Sequence, residues 1–106
     1  MELTVEEALQ RGVAAHQEGR LQEAEKLYRA ILNTQPAHPD ANHNLGVIGV
    51  SYGRFEEAIP FFQKAIAVND TKVQYWVSLI EALIKLGKIH EARKVLSEAI
   101  EKGIEG

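Results

Sequence analysis

Histidines, carboxylates and glycines are the side chains through which so small a chain would do chemistry, and their spacing limits what that chemistry can be. The histidines are His16, His38, His43 and His90. A zinc-protease helix carries two histidines four apart beside a carboxylate base, and no pair here is so placed. His38, Asp40 and His43 do gather around Pro39 at one helix start, and nitrogen and oxygen donors of that kind can hold a metal. A turn histidine beside a proline is the simpler account, so no metal, cofactor or catalytic residue is expected. Glu56 and Glu57 resemble a carboxylate pair, but sequence neighbours point apart on a helix. No cysteine is present, which excludes disulfides and thiolate metal sites. No glycine-rich run cradles phosphate; the glycines fall singly, as helix stops or packing contacts.

Three of those glycines head a repeated phrase. Gly19-Arg20-Leu21-Gln22-Glu23-Ala24, Gly53-Arg54-Phe55-Glu56-Glu57-Ala58 and Gly87-Lys88-Ile89-His90-Glu91-Ala92 recur 34 residues apart. A period of about 20 to 50 residues marks a stack of like supersecondary units. The glycine lets the chain reverse between helices. The large apolar residue plugs the corner, and the alanine on the same face lets two helix axes approach.

The elements follow from that period. Thr4-Val5-Glu6-Glu7 fits a capping box and opens a first helix that Gly19 stops. Leu21, Ala24, Leu27, Tyr28, Ile31 and Leu32 give the second helix one apolar face. Pro39 suits the first position of a third helix, with Ala41, Leu45, Ile48, Gly49 and Tyr52 as its inner stripe. A fourth helix buries Phe55, Ala58, Ile59, Phe62, Ala65 and Ile66, bent slightly at most by Pro60. Thr71-Lys72-Val73-Gln74 is a second capping-box candidate ahead of a fifth helix holding Tyr75, Trp76, Leu79, Ala82, Leu83 and Leu86. The sixth holds Ile89, Ala92, Val95, Leu96, Ala99 and Ile100. The expectation is one all-α domain of three antiparallel helix pairs, 5–38, 39–72 and 73–106.

Composition narrows function from outside. The net charge is -3 with both signs interspersed, which offers neither a basic stripe for nucleic acid nor a polybasic segment for membranes. No apolar run approaches a membrane span, and the first ten residues hold no cationic signal-peptide region. A cytoplasmic location is the default.

The 34-residue helix-turn-helix unit resembles the tetratricopeptide repeat. The middle unit carries Leu45, Gly46, Ala58, Phe62 and Ala65 at the family's pattern positions, with Asn42 where tryptophan is usual and Gly49 where tyrosine is usual. The third carries Trp76, Leu79, Ala92 and Ala99, with Ile80 in place of glycine and Leu96 in place of the aromatic. The first carries Gly12, Ala24, Tyr28 and Pro36, with Arg11 and Ile31 off pattern. The resemblance implies a right-handed α-solenoid whose first helices line a concave binding surface. The faces those helices would present are Leu9, Val13, His16 and Gln17; then His43, Asn44, Val47, Val50 and Ser51; then Val77, Ser78, Glu81, Ile84 and Lys85. Their partly apolar character marks an interaction site, so the expected role is a scaffold holding a protein or peptide partner, with Asn44, Ser51, Gln17 and Lys85 as polar fixings. Some family members clamp a C-terminal carboxylate with lysine, asparagine and arginine. The matching positions here are Leu9, Val13, His43, Val47, Val77 and Ser78, so chaperone tails are not expected as ligands. Asn44 does match an asparagine that some members use to hold a ligand's backbone.

At the far end, Leu96, Ile100 and Ile104 would face the place of a seventh helix. The first expectation is that the chain is the N-terminal part of a longer protein, such as a regulatory or substrate-presenting module of a bacterial transferase-type enzyme. The second is self-association through those three residues.

Overall fold

The first helix starts where the capping box placed it. In the computed structural model, which describes residues 2–104, the Thr4 hydroxyl accepts from the Glu7 amide at 3.1 Å and the Thr4 amide donates to Glu7 Oε1 at 3.0 Å. The Thr4 amide foremost, and the Thr4 hydroxyl after it, hold the Glu7 carboxyl below its ordinary pKa. Six helices follow: α1 Val5–Gln17, α2 Leu21–Thr34, α3 Pro39–Ser51, α4 Phe55–Val68, α5 Val73–Lys85 and α6 Ile89–Glu101. No strand occurs among the described residues. Each helix packs on the next in order, which makes a solenoid measuring 46 × 26 × 21 Å. Glu105 and Gly106, the end of the expected third repeat, lie outside the described residues.

The repeated phrase is a chain reversal. At Gly53 (φ +76°) the backbone enters the left-handed region, where a side chain would be strained. The Gly53 amide then donates to Val50 and the Arg54 amide to Gly49, the paired bonds of a Schellman motif that satisfy the last carbonyls of α3. The same pair of bonds closes the turns at Gly19, Gly87 and Gly103. Ala24, Ala58 and Ala92 are buried at 0%, 1% and 4% exposure, at the close approaches for which small side chains were expected.

A second glycine pairing sets the packing inside each unit. A methyl group at Gly12 would lie 2.6 Å from the ring of Tyr28. One at Gly46 would strike the ring of Phe62 still harder. Both rings are fully buried, each stabilising the fold by roughly 1.5–3 kcal/mol. The third unit inverts the arrangement: Ile80 supplies bulk where the glycine was, and Leu96, where the ring was, is left 47% exposed. Asn42 and Trp76 also correspond across 34 residues. Asn42 Nδ2 donates to the Pro36 carbonyl at 3.1 Å, and Trp76 Nε1 to the equivalent Asp70 carbonyl at 2.9 Å. The amide does the indole's polar work while leaving its own Oδ1 buried without a partner.

Three expectations are corrected. Thr71 does not cap α5: Lys72 is the N-cap residue and makes no side-chain cap bond, because Asn69 Oδ1 accepts both the Thr71 amide at 3.1 Å and its hydroxyl at 2.7 Å. His38 caps α3 instead, Nδ1 accepting from the Ala41 amide at 3.1 Å. Tyr52 is no part of the inner stripe, since α3 ends at Ser51 and the ring lies 47% exposed beneath the Arg54 guanidinium. Ile89 plugs no corner and is 46% exposed, whereas its counterpart Phe55 is half-buried. Pro60 leaves α4 continuous.

Candidate groove between the first helices

The first helices of the three pairs, α1, α3 and α5, leave two hollows between them. The larger, about 520 Å³, lies between α3 and α5. Val47 and Val50 form one wall; Ala82, Ile84 and the Glu81 and Lys85 side chains form the other. Phe55 and Phe62 reach its lining from α4, and Gln74 and Ser78 add polar atoms. The smaller, about 290 Å³, lies between α1 and α3 and is bounded by Leu9, Val13, Asp40, His43, Asn44, Lys72 and Gln74. Gln74 borders both, so the two are neighbouring stretches of one surface. A crevice between α2 and α4, walled by Glu25, Arg29, Tyr52 and Arg54, holds only about 40 Å³, room for water and not for a side chain.

Ten of the residues expected to face a groove therefore line these hollows: Leu9, Val13, His43 and Asn44 in one, Val47, Val50, Ser78, Glu81, Ile84 and Lys85 in the other. Four do not border either. His16 is half-buried with its ring edge-on to Tyr28, 6.3 Å between centroids. Gln17 is exposed at the end of α1, and Val77 is half-buried on α5. Ser51 is exposed and returns its hydroxyl to the Val47 carbonyl at 3.1 Å. Asp40, Phe55, Phe62, Lys72, Gln74 and Ala82 were missed as lining residues. Phe62 shows no outward sign in sequence, because it is a fully buried core residue that backs the hollow from α4.

His43 and Ser78 are not open surface. They are 7% and 8% exposed and join α3 to α5, His43 Nε2 lying 2.8 Å from Ser78 Oγ. The other ring nitrogen lies 3.3 Å from Asn44 Oδ1, and Gln74 Nε2 donates to Ser78 Oγ at 3.4 Å. A single tautomer satisfies every group: Nδ1–H donates to Asn44, and Nε2 accepts the Ser78 hydroxyl proton, an assignment made from the network. The ring is enclosed by Tyr75 and Phe62, with centroids 4.9 Å and 5.4 Å away. Desolvation accordingly lowers the His43 pKa, against a small opposing pull from Asn44 and Asp40.

A serine bound to a histidine whose far nitrogen is held by an amide resembles a nucleophile and its base. The resemblance stops at the oxyanion. Ser78 lies inside α5, where backbone N–H groups are committed to the helix and none is free to stabilise a developing negative charge. The pair is a buried polar tie between helices. A second tie lies beside it: the Tyr75 hydroxyl and Lys72 Nζ (2.9 Å) both donate to Asp40 Oδ1. Burial raises the Asp40 pKa, but these donors outweigh it and the net shift is downward. The Tyr75 phenol is raised, by burial first and by Asp40 second. His38, Asp40 and His43, adjacent in sequence, are thus drawn to a helix cap, an ion pair and a serine. No group of three metal-ligating side chains converges among the described residues.

A family model described as anaphase-promoting complex, cyclosome, subunit 3 matches residues 17–99. Among solved structures, one described as the crystal structure of MamA superposes with a TM-score of 0.86 at 24% identity, over 94% of this chain and 58% of that one. MamA from Desulfovibrio magneticus RS-1 gives 0.80 at 18% identity, over 92% and 55%. The Sgt2 tetratricopeptide domain from Aspergillus fumigatus gives 0.81 at 23% identity, over 92% and 64%. At these identities the likeness is one of fold, and this chain spans less than two thirds of each of these three chains.

Proposed function

The chain belongs to the tetratricopeptide-type repeat family described as anaphase-promoting complex, cyclosome, subunit 3, and from that premise we propose that it is a non-enzymatic interaction module holding a partner's segment in the groove of α1, α3 and α5. The observation that carries the reading is the hollow of about 520 Å³ lined by the half-buried Val47 and Val50 on one side and by Ile84, 50% exposed, on the other. That volume falls in the range of about 300–1,000 Å³ typical of sites that enclose a ligand. A cytoplasmic location belongs to the same proposal; no helix among the described residues is long and apolar enough to cross a membrane.

Affinity capture from a cell lysate followed by direct titration of the captured protein tests the reading. Val50→Glu places a charge on the apolar wall, and Ile84→Glu does the same from a side chain already 50% exposed, so folding is not at risk. Each substitution is expected to weaken binding at least about tenfold, the cost of leaving a charge desolvated and unpaired. Binding that survives both would place the partner elsewhere.

A second reading concerns α6. Leu96 and Ile100 are 47% and 65% exposed, whereas their counterparts on α4, Phe62 and Ile66, lie under α5. This favours a further helix over α6 within a longer polypeptide, in which the module would regulate or present substrate to a transferase-type enzyme. Self-association through Leu96, Ile100 and Ile104 is the competing outcome.

A further inference from the structure

The open face of the third unit holds two charges that its apolar surroundings leave unmatched. We propose that this face receives a second copy of the same chain, in a closed two-fold dimer that pairs Glu81 of each copy with Arg93 of the other. The inference rests on the reading of α6 as a covered helix and names the cover; it does not depend on what lies in the groove.

A shift of 34 residues shows what the face is shaped to receive. In the second unit Val47, Val50, Ile59, Phe62 and Ile66 pack around Leu79, Ala82 and Leu83 of α5. Their counterparts in the third unit are Glu81, Ile84, Arg93, Leu96 and Ile100, and all five are exposed. Ile84, Ile89, Leu96 and Ile100 are four of the six large apolar side chains exposed among the described residues, a concentration at one end that marks an interaction surface. Two positions have changed character. Glu81 on α5 stands for Val47, and Arg93 on α6 stands for Ile59. Neither is in an ion pair among the described residues. A cover as apolar as the inward face of α5 would strip both charges of water and return nothing. A second copy returns a partner to each. A two-fold axis along the seam between α5 and α6 lays α5 of each copy over α6 of the other. Glu81 then meets Arg93 of the other copy on both sides of the axis. The four helices form an antiparallel bundle whose centre covers Leu96 and Ile100. An axis over either helix alone would set Glu81 against Glu81 or Arg93 against Arg93, so the charges also fix the register. Glu81 and Ile84 line the larger hollow as well, so this face begins at the edge of the groove.

The test is sedimentation equilibrium of the whole 106-residue chain with no other molecule added. A monomer–dimer equilibrium is expected. Arg93→Glu and Glu81→Arg should each raise the dimer dissociation constant at least about tenfold, by setting like charges together. The two reversals combined should return it to within about threefold of the parent, because the pair meets again with its signs exchanged. Both side chains are exposed, so the folded monomer tolerates either change. Leu96→Glu should abolish the dimer at every concentration that the parent needs to form it. Assembly beyond the dimer, a dimer indifferent to both reversals, or a double variant as weak as the single ones would overturn the inference. So would a parent that stays monomeric throughout, which would return α6 to a further helix as its cover. None of these outcomes touches the groove reading, whose own test is capture of a partner and its loss in Val50→Glu and Ile84→Glu.

Discussion

Two glycines of α3 lie three residues apart and meet opposite surroundings. A methyl at Gly46 collides with the buried ring of Phe62, while one at Gly49 rests 3.7 Å from the Ala58 methyl and 3.6 Å from the Arg54 carbonyl, ordinary contact distances. Gly46→Ala is therefore expected to destabilise the fold by roughly 1–3 kcal/mol through overpacking. Gly49→Ala is expected to stabilise it by about 0.5–1 kcal/mol, since alanine has less backbone freedom to lose in a helix. Urea midpoints that move in opposite directions would bear this out; equal shifts would mean that the α3–α4 contact is looser than its geometry. The family's usual tyrosine at position 49 would meet Ala58 across that gap, so the glycine is a local departure and not a requirement of the turn.

The junction between α3 and α5 is built from polar ties, and it titrates. At the corresponding α1–α3 positions, 34 residues earlier, Leu9 and Asn44 replace His43 and Ser78, and Glu6 and Ala41 replace Asp40 and Tyr75. Folding lowers the His43 pKa from an ordinary 6.5 by desolvation. The unfolded chain thus binds more protons than the native one below that value, and stability falls as pH drops through it. His16, lowered by burial against Tyr28, adds to the same slope. Asp40, also lowered on balance, contributes stability that is present above its ordinary 3.8 and is lost at more acid pH. Urea midpoints are expected to drop between pH 7.5 and 5.5, with His43→Gln flattening part of that drop. A parent chain whose midpoint is the same at both values would show that the His43 ring admits water.

At the scale of the whole molecule the two ends differ. Glu7, Arg11 and Ala14 on α1 are exposed, where α3 has buried Ala41, Leu45 and Ile48 and α5 has buried Tyr75, Leu79 and Ala82 at the same register. The first end is polar and the last is apolar, so stacking copies head to tail would strip Glu7 and Arg11 of water to cover Leu96 and Ile100. A filament is disfavoured for that reason, and a self-contact of α6 would be two-fold and closed. Leu96→Glu with Ile100→Glu is expected to change stability by no more than about 0.5 kcal/mol per site, as exposed substitutions do. Sedimentation velocity of the parent should show a coefficient that rises with concentration, and the double variant should not. A parent monomeric at every concentration would remove self-association and leave a further helix as the cover.

Much of this architecture was legible from the residues alone. The helices, their order and their turns follow from a 34-residue period, apolar spacing, the Thr4 box and glycines placed where φ must turn positive, because those signals act within a few residues of where they are written. Helical periodicity assigns faces on α1, α3 and α5, but it does not say which residues of a face stay open: His16, Gln17, Ser51 and Val77 border neither hollow. What tertiary structure decided is everything that depends on which helix crosses which. It sank His43 and Ser78 into a tie, drew Asp40 to Tyr75, brought Phe55 and Phe62 to the groove and left Ile89 uncovered. Those partners lie about one repeat apart in the chain, and no local pattern encodes the angle at which neighbouring units meet.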